Sequence, residues 1–125
     1  MVVDDAEVNR QFVTRLLIRL GYETIEAVNG LEAVQSHLDN RPDLILMDVK
    51  MPKMDGMTAT ATIRENEKLN QIDRTPIIAV TANAFEEHRR RANEVGCDGF
   101  IAKPFEFTDL VNAISEQVNG KRLMV

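Results

Sequence analysis

An α/β fold, with a parallel sheet covered by helices on both faces, is predicted by three observations. Five short apolar runs alternate with longer amphipathic segments along the chain. Four of those runs are apolar at every position, as strands buried on both faces read. Glycine or proline closes four of the five amphipathic segments, as expected where helices stop.

The strand candidates are Met1-Val2-Val3, Thr24-Ile25-Glu26-Ala27-Val28, Leu44-Ile45-Leu46-Met47, Ile77-Ile78-Ala79-Val80 and Phe100-Ile101-Ala102. The second mixes polar and apolar residues, which suits an edge. Between them, Phe12, Leu16, Leu17 and Leu20 recur at helical spacing before Gly21, and Leu31, Val34 and Leu38 repeat the pattern before Pro42. A third helix is predicted over 58–69 with Ile63 inward, and a fourth over 86–95 closed by Gly96. The last is predicted over 108–118 with Leu110, Val111, Ile114 and Val118 inward and Gly120 as its stop. With 125 residues and no internal linker, a single core is expected, residues 120–125 being a tail or the start of a linker.

Composition excludes several classes. A net charge of −5 argues against direct DNA binding, which needs a basic face. The one basic cluster, His88-Arg89-Arg90-Arg91, adjoins Glu86 and Glu87 and reads as a solvated helix face. Cys97 is the only cysteine, so no internal disulfide can form, and it reads as a small residue at a helix end. His37 and His88 lack metal-ligand spacing and are expected on the surface. No run is long enough for a membrane span and no signal peptide is evident, so a cytoplasmic location is expected.

In open parallel α/β sheets, ligands bind beyond the carboxyl ends of the strands. The first run ends in Asp4-Asp5, the third in Asp48, the fourth in Thr81 and the fifth in Lys103. Singly, each has a bland reading: Asp4-Asp5 as a helix N-cap, Asp48 as a turn residue, Thr81 as a strand residue, Lys103 as a surface lysine. Together on one edge they form a site. Clustered carboxylates repel unless a cation joins them. Oxygen ligands without Cys or His select a hard ion such as Mg²⁺. Phosphoryl transfer is served by that equipment, because its catalysis is mostly positioning and charge neutralisation, and a carboxylate nucleophile yields an acyl phosphate.

The stretches Val2-Val3-Asp4-Asp5, Leu46-Met47-Asp48-Val49-Lys50-Met51-Pro52-Lys53-Met54-Asp55-Gly56, Ile78-Ala79-Val80-Thr81-Ala82 and Lys103-Pro104-Phe105 resemble those of the response-regulator receiver family, over essentially the whole chain. The resemblance implies a (βα)₅ flavodoxin-like three-layer sandwich with strand order 2-1-3-4-5. It implies that Asp48 is the phosphoacceptor, taking a phosphoryl group from a phosphohistidine. The Mg²⁺ ligands would be Asp5, Asp48 and the backbone carbonyl of Lys50, with Asp4 acting through water. Lys103 would pair with the phosphoryl group, Thr81 would be the switch hydroxyl, and Phe100 the switch aromatic. Pro52 and Gly56 would shape the loop after Asp48, and the Lys103-Pro104 peptide would be cis. Lys50 and Asn83 occupy positions that vary within the family and tune phosphoryl lifetime.

The function so implied is a phosphoacceptor of a two-component phosphorelay rather than an enzyme, assisting its own phosphorylation and dephosphorylation. Its partners would be a histidine kinase or a histidine phosphotransfer domain, with self-association on phosphorylation as a further expectation. The tract Thr75-Pro76-Ile77-Ile78-Ala79-Val80-Thr81-Ala82-Asn83-Ala84 resembles receivers of hybrid histidine kinases, with a free-standing single-domain regulator close behind. The short stretch before Asp4 suggests a domain cut from a longer protein. The rival from another class is a Mg²⁺-dependent aspartyl-phosphate phosphohydrolase of the haloacid-dehalogenase type. Such enzymes place a second acid two residues after the nucleophile, where this chain has Lys50. A flavodoxin-like nucleotide binder would want a phosphate-cradling loop after the first strand, where this chain has Asp4-Asp5-Ala6-Glu7.

Overall fold

A computed structural model describes residues 1–82 and 85–118. The elements run β1 (Val2–Val3), α1 (Glu7–Arg19), β2 (Glu26–Ala27), α2 (Gly30–Asn40), β3 (Ile45–Asp48), α3 (Gly56–Asn70), β4 (Ile77–Thr81), α4 (Glu86–Val95), β5 (Gly99–Ala102) and α5 (Phe107–Val118). All strand pairings are parallel and the order is β2-β1-β3-β4-β5. Asn83, Gly120, the 120–125 tail and the Val118 side chain lie outside the described residues. No helix among the described residues is long and apolar enough to cross a membrane.

Alternation along the strands divides the core into two layers, because successive side chains point to opposite sheet faces. Val3, Ile45, Met47, Ile77 and Ala79 pack with Ala33 of α2, Met57, Ala59 and Ile63 of α3, and Ala92 of α4. Val2, Leu46, Ile78, Val80 and Ile101 pack with Leu17 of α1 and with Leu110 and Ile114 of α5. Double-sided burial is why β3 and β4 carry apolar residues at consecutive positions. At the edge, β5 differs from the continuous burial its sequence suggests: Ile101 is buried, while Gly99, Phe100 and Ala102 are only partly so.

The helix ends follow local chemistry. Asn29 and Asp55 cap α2 and α3 by accepting from the backbone N–H of Glu32 at 2.9 Å and of Thr58 at 2.8 Å. Neither Asp4 nor Asp5 is the N-cap of α1. Ala6 holds that position and has no side chain to offer, which leaves the two acids free for other duties. Gly96 ends α4 at φ 105, a left-handed conformation that glycine adopts without strain.

Three expectations about the helix residues are corrected. Phe12 is 57% exposed, because α1 turns Leu17 to the core and leaves a cavity of about 390 Å³ beside Phe12, Val13 and Phe105. His37 is fully buried rather than on the surface. The buried stripe of α2 is Gly30, Ala33 and His37; of the predicted residues, Val34 packs against the core, Leu38 is partly buried and Leu31 is half exposed.

Candidate functional site

Parallel register delivers the polar strand ends to a common place. Val3 of β1 lies opposite Met47 of β3, so the residues that follow, Asp4 and Asp48, come side by side. Asp48 lies opposite Val80, and Thr81 opposite Ala102, which brings Thr81 and the start of the Lys103 loop to the same edge. The Lys103 amide donates to the Thr81 carbonyl at 2.7 Å, extending the ladder by one bond.

One carboxylate oxygen from each of Asp4, Asp5 and Asp48 lies within 4.8 Å of the others. Asp4 and Asp48 are buried and Asp5 is exposed, so the cluster opens to solvent on one side. The Lys103 ammonium donates to Asp48 Oδ1 at 3.0 Å and stands 3.6 Å from Asp4 Oδ2. Asp4 Oδ1 also accepts from the Ala6 amide at 2.9 Å.

Burial raises the Asp48 pKa above the ordinary carboxylate value; the hydrogen bond and charge of Lys103 oppose this, and the charges of Asp4 and Asp5 add to it. At Lys103, burial disfavours the ammonium, yet the bond to Asp48 and the charges of Asp48 and Asp4 outweigh it and raise the pKa. Both partners of the ion pair therefore shift upward. Asp48 rises chiefly because it is buried, with the neighbouring acids adding to this, while the same acids hold the lysine charged. An oxygen-only donor set with unbalanced negative charge fits a hard divalent cation.

The other predicted residues hold distinct places. Thr81 is buried at the end of β4, one residue beyond Val80, which lies opposite Asp48. Lys50 is exposed in the loop after β3. In that loop Met54 N–H donates to the Pro52 carbonyl at 2.7 Å, and Gly56 N–H to the Val49 carbonyl at 2.8 Å. A Cβ on Gly56 would run into the Asp48 carbonyl oxygen, so glycine lets α3 start directly against the end of β3. The Lys103–Pro104 peptide is cis. Phe100 is not part of the acidic cluster. It lies on the face of β5 toward α4, with the Arg89 guanidinium 4.6 Å from its ring centre.

Sequence reasoning missed Arg10. Its Nη1 donates to the Asp4 carbonyl at 3.0 Å and its Nε to Glu26 Oε1 at 2.7 Å. The one available signal was its place at the first turn of α1, within reach of the Asp4-Asp5 turn.

The family model of the response regulator receiver domain matches residues 1–115. The chain belongs to this family. Among curated relatives, the receiver is 38% identical over 114 residues to the polar-differentiation response regulator DivK of Brucella anthropi, covering 91% of this chain and 90% of that one. It is 40% identical over 112 residues to hybrid signal transduction histidine kinase G of Dictyostelium discoideum, covering 88% of this chain but 3% of that protein. Among solved structures, the receiver domain of sensor histidine kinase PA1611 from Pseudomonas aeruginosa PAO1, with a magnesium ion coordinated in its active-site cleft, matches with a TM-score of 0.84 at 35% identity over 95% of both chains. The CheX–CheY–BeF₃–Mg²⁺ complex from Borrelia burgdorferi matches with a TM-score of 0.84 at 27% identity, over 92% of this chain and 84% of that one. The receiver is thus a flavodoxin-like signalling domain of the two-component type, similar both to a free-standing regulator and to a domain of a hybrid kinase.

Proposed function

We propose that Asp48 is the phosphoacceptor of this receiver and that its donor is a phosphohistidine on a histidine kinase or a phosphotransfer domain. A carboxylate oxygen of Asp48 attacks phosphorus as the bond to the histidine nitrogen breaks; the imidazole leaves, and an acyl phosphate remains on Asp48. The observation that carries this is the approach of three carboxylates within 4.8 Å of one another with Lys103 on Asp48.

We assign Asp5, Asp48 and the Lys50 carbonyl to hold Mg²⁺, with Asp4 acting through a water. When bound, the ion supplies positive charge to the phosphoryl oxygens. The chain's own residues do the rest. Lys103, already on Asp48 Oδ1, orients the carboxylate and pairs with the phosphoryl group once transfer has occurred. Thr81, buried at the end of β4, donates its hydroxyl to a phosphoryl oxygen. Movement of Thr81 is then read at Phe100, whose ring lacks a hydroxyl and so turns inward at little polar cost. The haloacid-dehalogenase reading is not favoured, since Lys50 stands where such an enzyme needs its second acid.

The test is intact-mass measurement after incubation with acetyl phosphate and Mg²⁺. One phosphoryl group is gained by the wild type and none by Asp48→Asn. Labelling retained in Asp48→Asn would sink the assignment of Asp48, and rapid release of free phosphate with turnover would bring the phosphohydrolase forward.

A further inference from the structure

We propose that Arg10 is a positioning residue for the acidic site: its guanidinium clamps the turn that carries Asp4 and Asp5 and holds their carboxylates ready for a divalent cation. This rests on the metal-binding role proposed above for those acids.

Apart from the Ala6 N–H bond to Asp4 Oδ1 at 2.9 Å, the local structure leaves that turn with little else to hold it. Both β1 and β2 are two residues long, so their ladder is short and ends where Asp4 N–H donates to the Ala27 carbonyl at 3.1 Å. The helix that follows lacks a side-chain N-cap. Among the described residues, the Asp5 carboxylate makes no hydrogen bond, so its direction is set by its backbone. The Asp4 carbonyl belongs to the peptide that joins Asp4 to Asp5, and Arg10 Nη1 bonds it at 3.0 Å. Fixing that peptide plane fixes where the Asp5 side chain departs.

The same guanidinium reaches β2 through its Nε, 2.7 Å from Glu26 Oε1. Arg10 is 14% exposed in its side chain and Glu26 42%. An isolated pair of that exposure would contribute little by charge alone. What distinguishes Arg10 is the rigid fork, which bonds the turn and the neighbouring strand at once. It bonds the Asp4 carbonyl and not a carboxylate of the cluster, so it leaves those oxygens available. Partners one step removed from a metal commonly act in this way, by orienting the ligands.

The experiment is a calorimetric Mg²⁺ titration of the full chain at constant ionic strength, in wild type, Arg10→Ala and Arg10→Lys, with amide NMR spectra of each. Arg10→Ala is expected to raise the Mg²⁺ dissociation constant roughly tenfold. Amide signals of β3 and β4 should stay in place. Arg10→Lys restores the charge but not the fork and recovers only part of the loss. An unchanged constant in Arg10→Ala overturns the clamp, as does full recovery in Arg10→Lys. So does a loss of affinity with signals displaced across β3 and β4, which would make Arg10 a general support of the fold. If Arg10→Ala fails to fold, Arg10→Lys read against wild type decides. A wild type that binds no Mg²⁺ overturns the metal site itself, and the clamp with it.

Discussion

Lys103 and Asp48 lie 55 residues apart in sequence and meet at 3.0 Å, each at the end of its own strand. Their pairing is incomplete as charge balance, because Asp4 shares the same ammonium and Asp5 adds a further negative charge. Burial first, and this shortfall of positive charge after it, raise the Asp48 pKa above its ordinary 3.8 in the folded state. The unfolded chain gives up this proton at lower pH, so stability falls as pH rises through the interval above 3.8, and ionised Asp48 is a cost at neutral pH. Asp48→Asn is expected to melt a few degrees higher than wild type in metal-free buffer at neutral pH. The gain should shrink when Mg²⁺ is added to both, since a bound ion stabilises the wild type. Thermal melts with and without Mg²⁺ check this; equal melting in metal-free buffer would show that Lys103 already neutralises the site.

Removing the ammonium should act in the opposite sense. Lys103→Ala leaves the carboxylates facing one another with no cation, so its metal-free stability at neutral pH should drop, more at low salt than at high. Labelling of Asp48 by acetyl phosphate should slow roughly 100-fold, by analogy with loss of one preorganised donor. In whatever fraction is labelled, amide shifts of β4 and α4 should respond less than in wild type. A full response of those shifts would remove Lys103 from the switch.

The parallel sheet was legible because β3 and β4 are buried on both faces and so carry unbroken apolar runs. The acids, Thr81 and Lys103 were legible because a polar residue directly after such a run marks a strand end. Phe12 and Leu31 were misread because helical spacing finds a stripe but not its rotation, and α2 buries its smallest residues, Gly30 and Ala33, against the sheet. Burial of His37 depends on Glu67 and Thr75, residues far along the chain that no local pattern connects to it. Arg10 was harder to read for a related cause: Asp4 is local to it, but its other partner, Glu26, sits on β2.

Gly56 offers a test of how closely α3 must approach the site. A Cβ there would strike the Asp48 carbonyl oxygen and stand 2.9 Å from both the Asp48 carbonyl carbon and Met47 Cγ. Backbone cannot yield as a side chain can, so Gly56→Ala should cost about 2–3 kcal/mol in urea unfolding. At Gly99 a Cβ would meet only side-chain atoms, 3.1 Å from Gln117 Nε2 and 3.2 Å from Ile78 Cγ1. Gly99→Ala should therefore cost less than Gly56→Ala, and equal costs would show that the contact with Asp48 relaxes.

His37 predicts an acid-sensitive part of the stability. Its Nε2 lies 3.1 Å from Thr75 Oγ1 and 3.4 Å from Glu67 Oε2, while Nδ1 is buried with no hydrogen-bond partner among the described residues. A neutral ring protonated at Nε2 suits this, because a bare Nδ1 tolerates an empty neighbourhood better than an N–H does. Burial lowers the His37 pKa below its ordinary 6.5; Glu67 works against this from α3, and Arg64 and Arg41 add to it. Below about pH 6.5 the unfolded chain takes up a proton that the folded ring resists, so stability declines as pH falls until the folded value is passed. Above that range His37 contributes no slope. Urea unfolding of wild type and His37→Gln at pH 7.5 and roughly pH 5.5 checks it: wild type should lose the larger share of its stability on acidification. Parallel losses in the two proteins would mean that Glu67 keeps the buried ring charged.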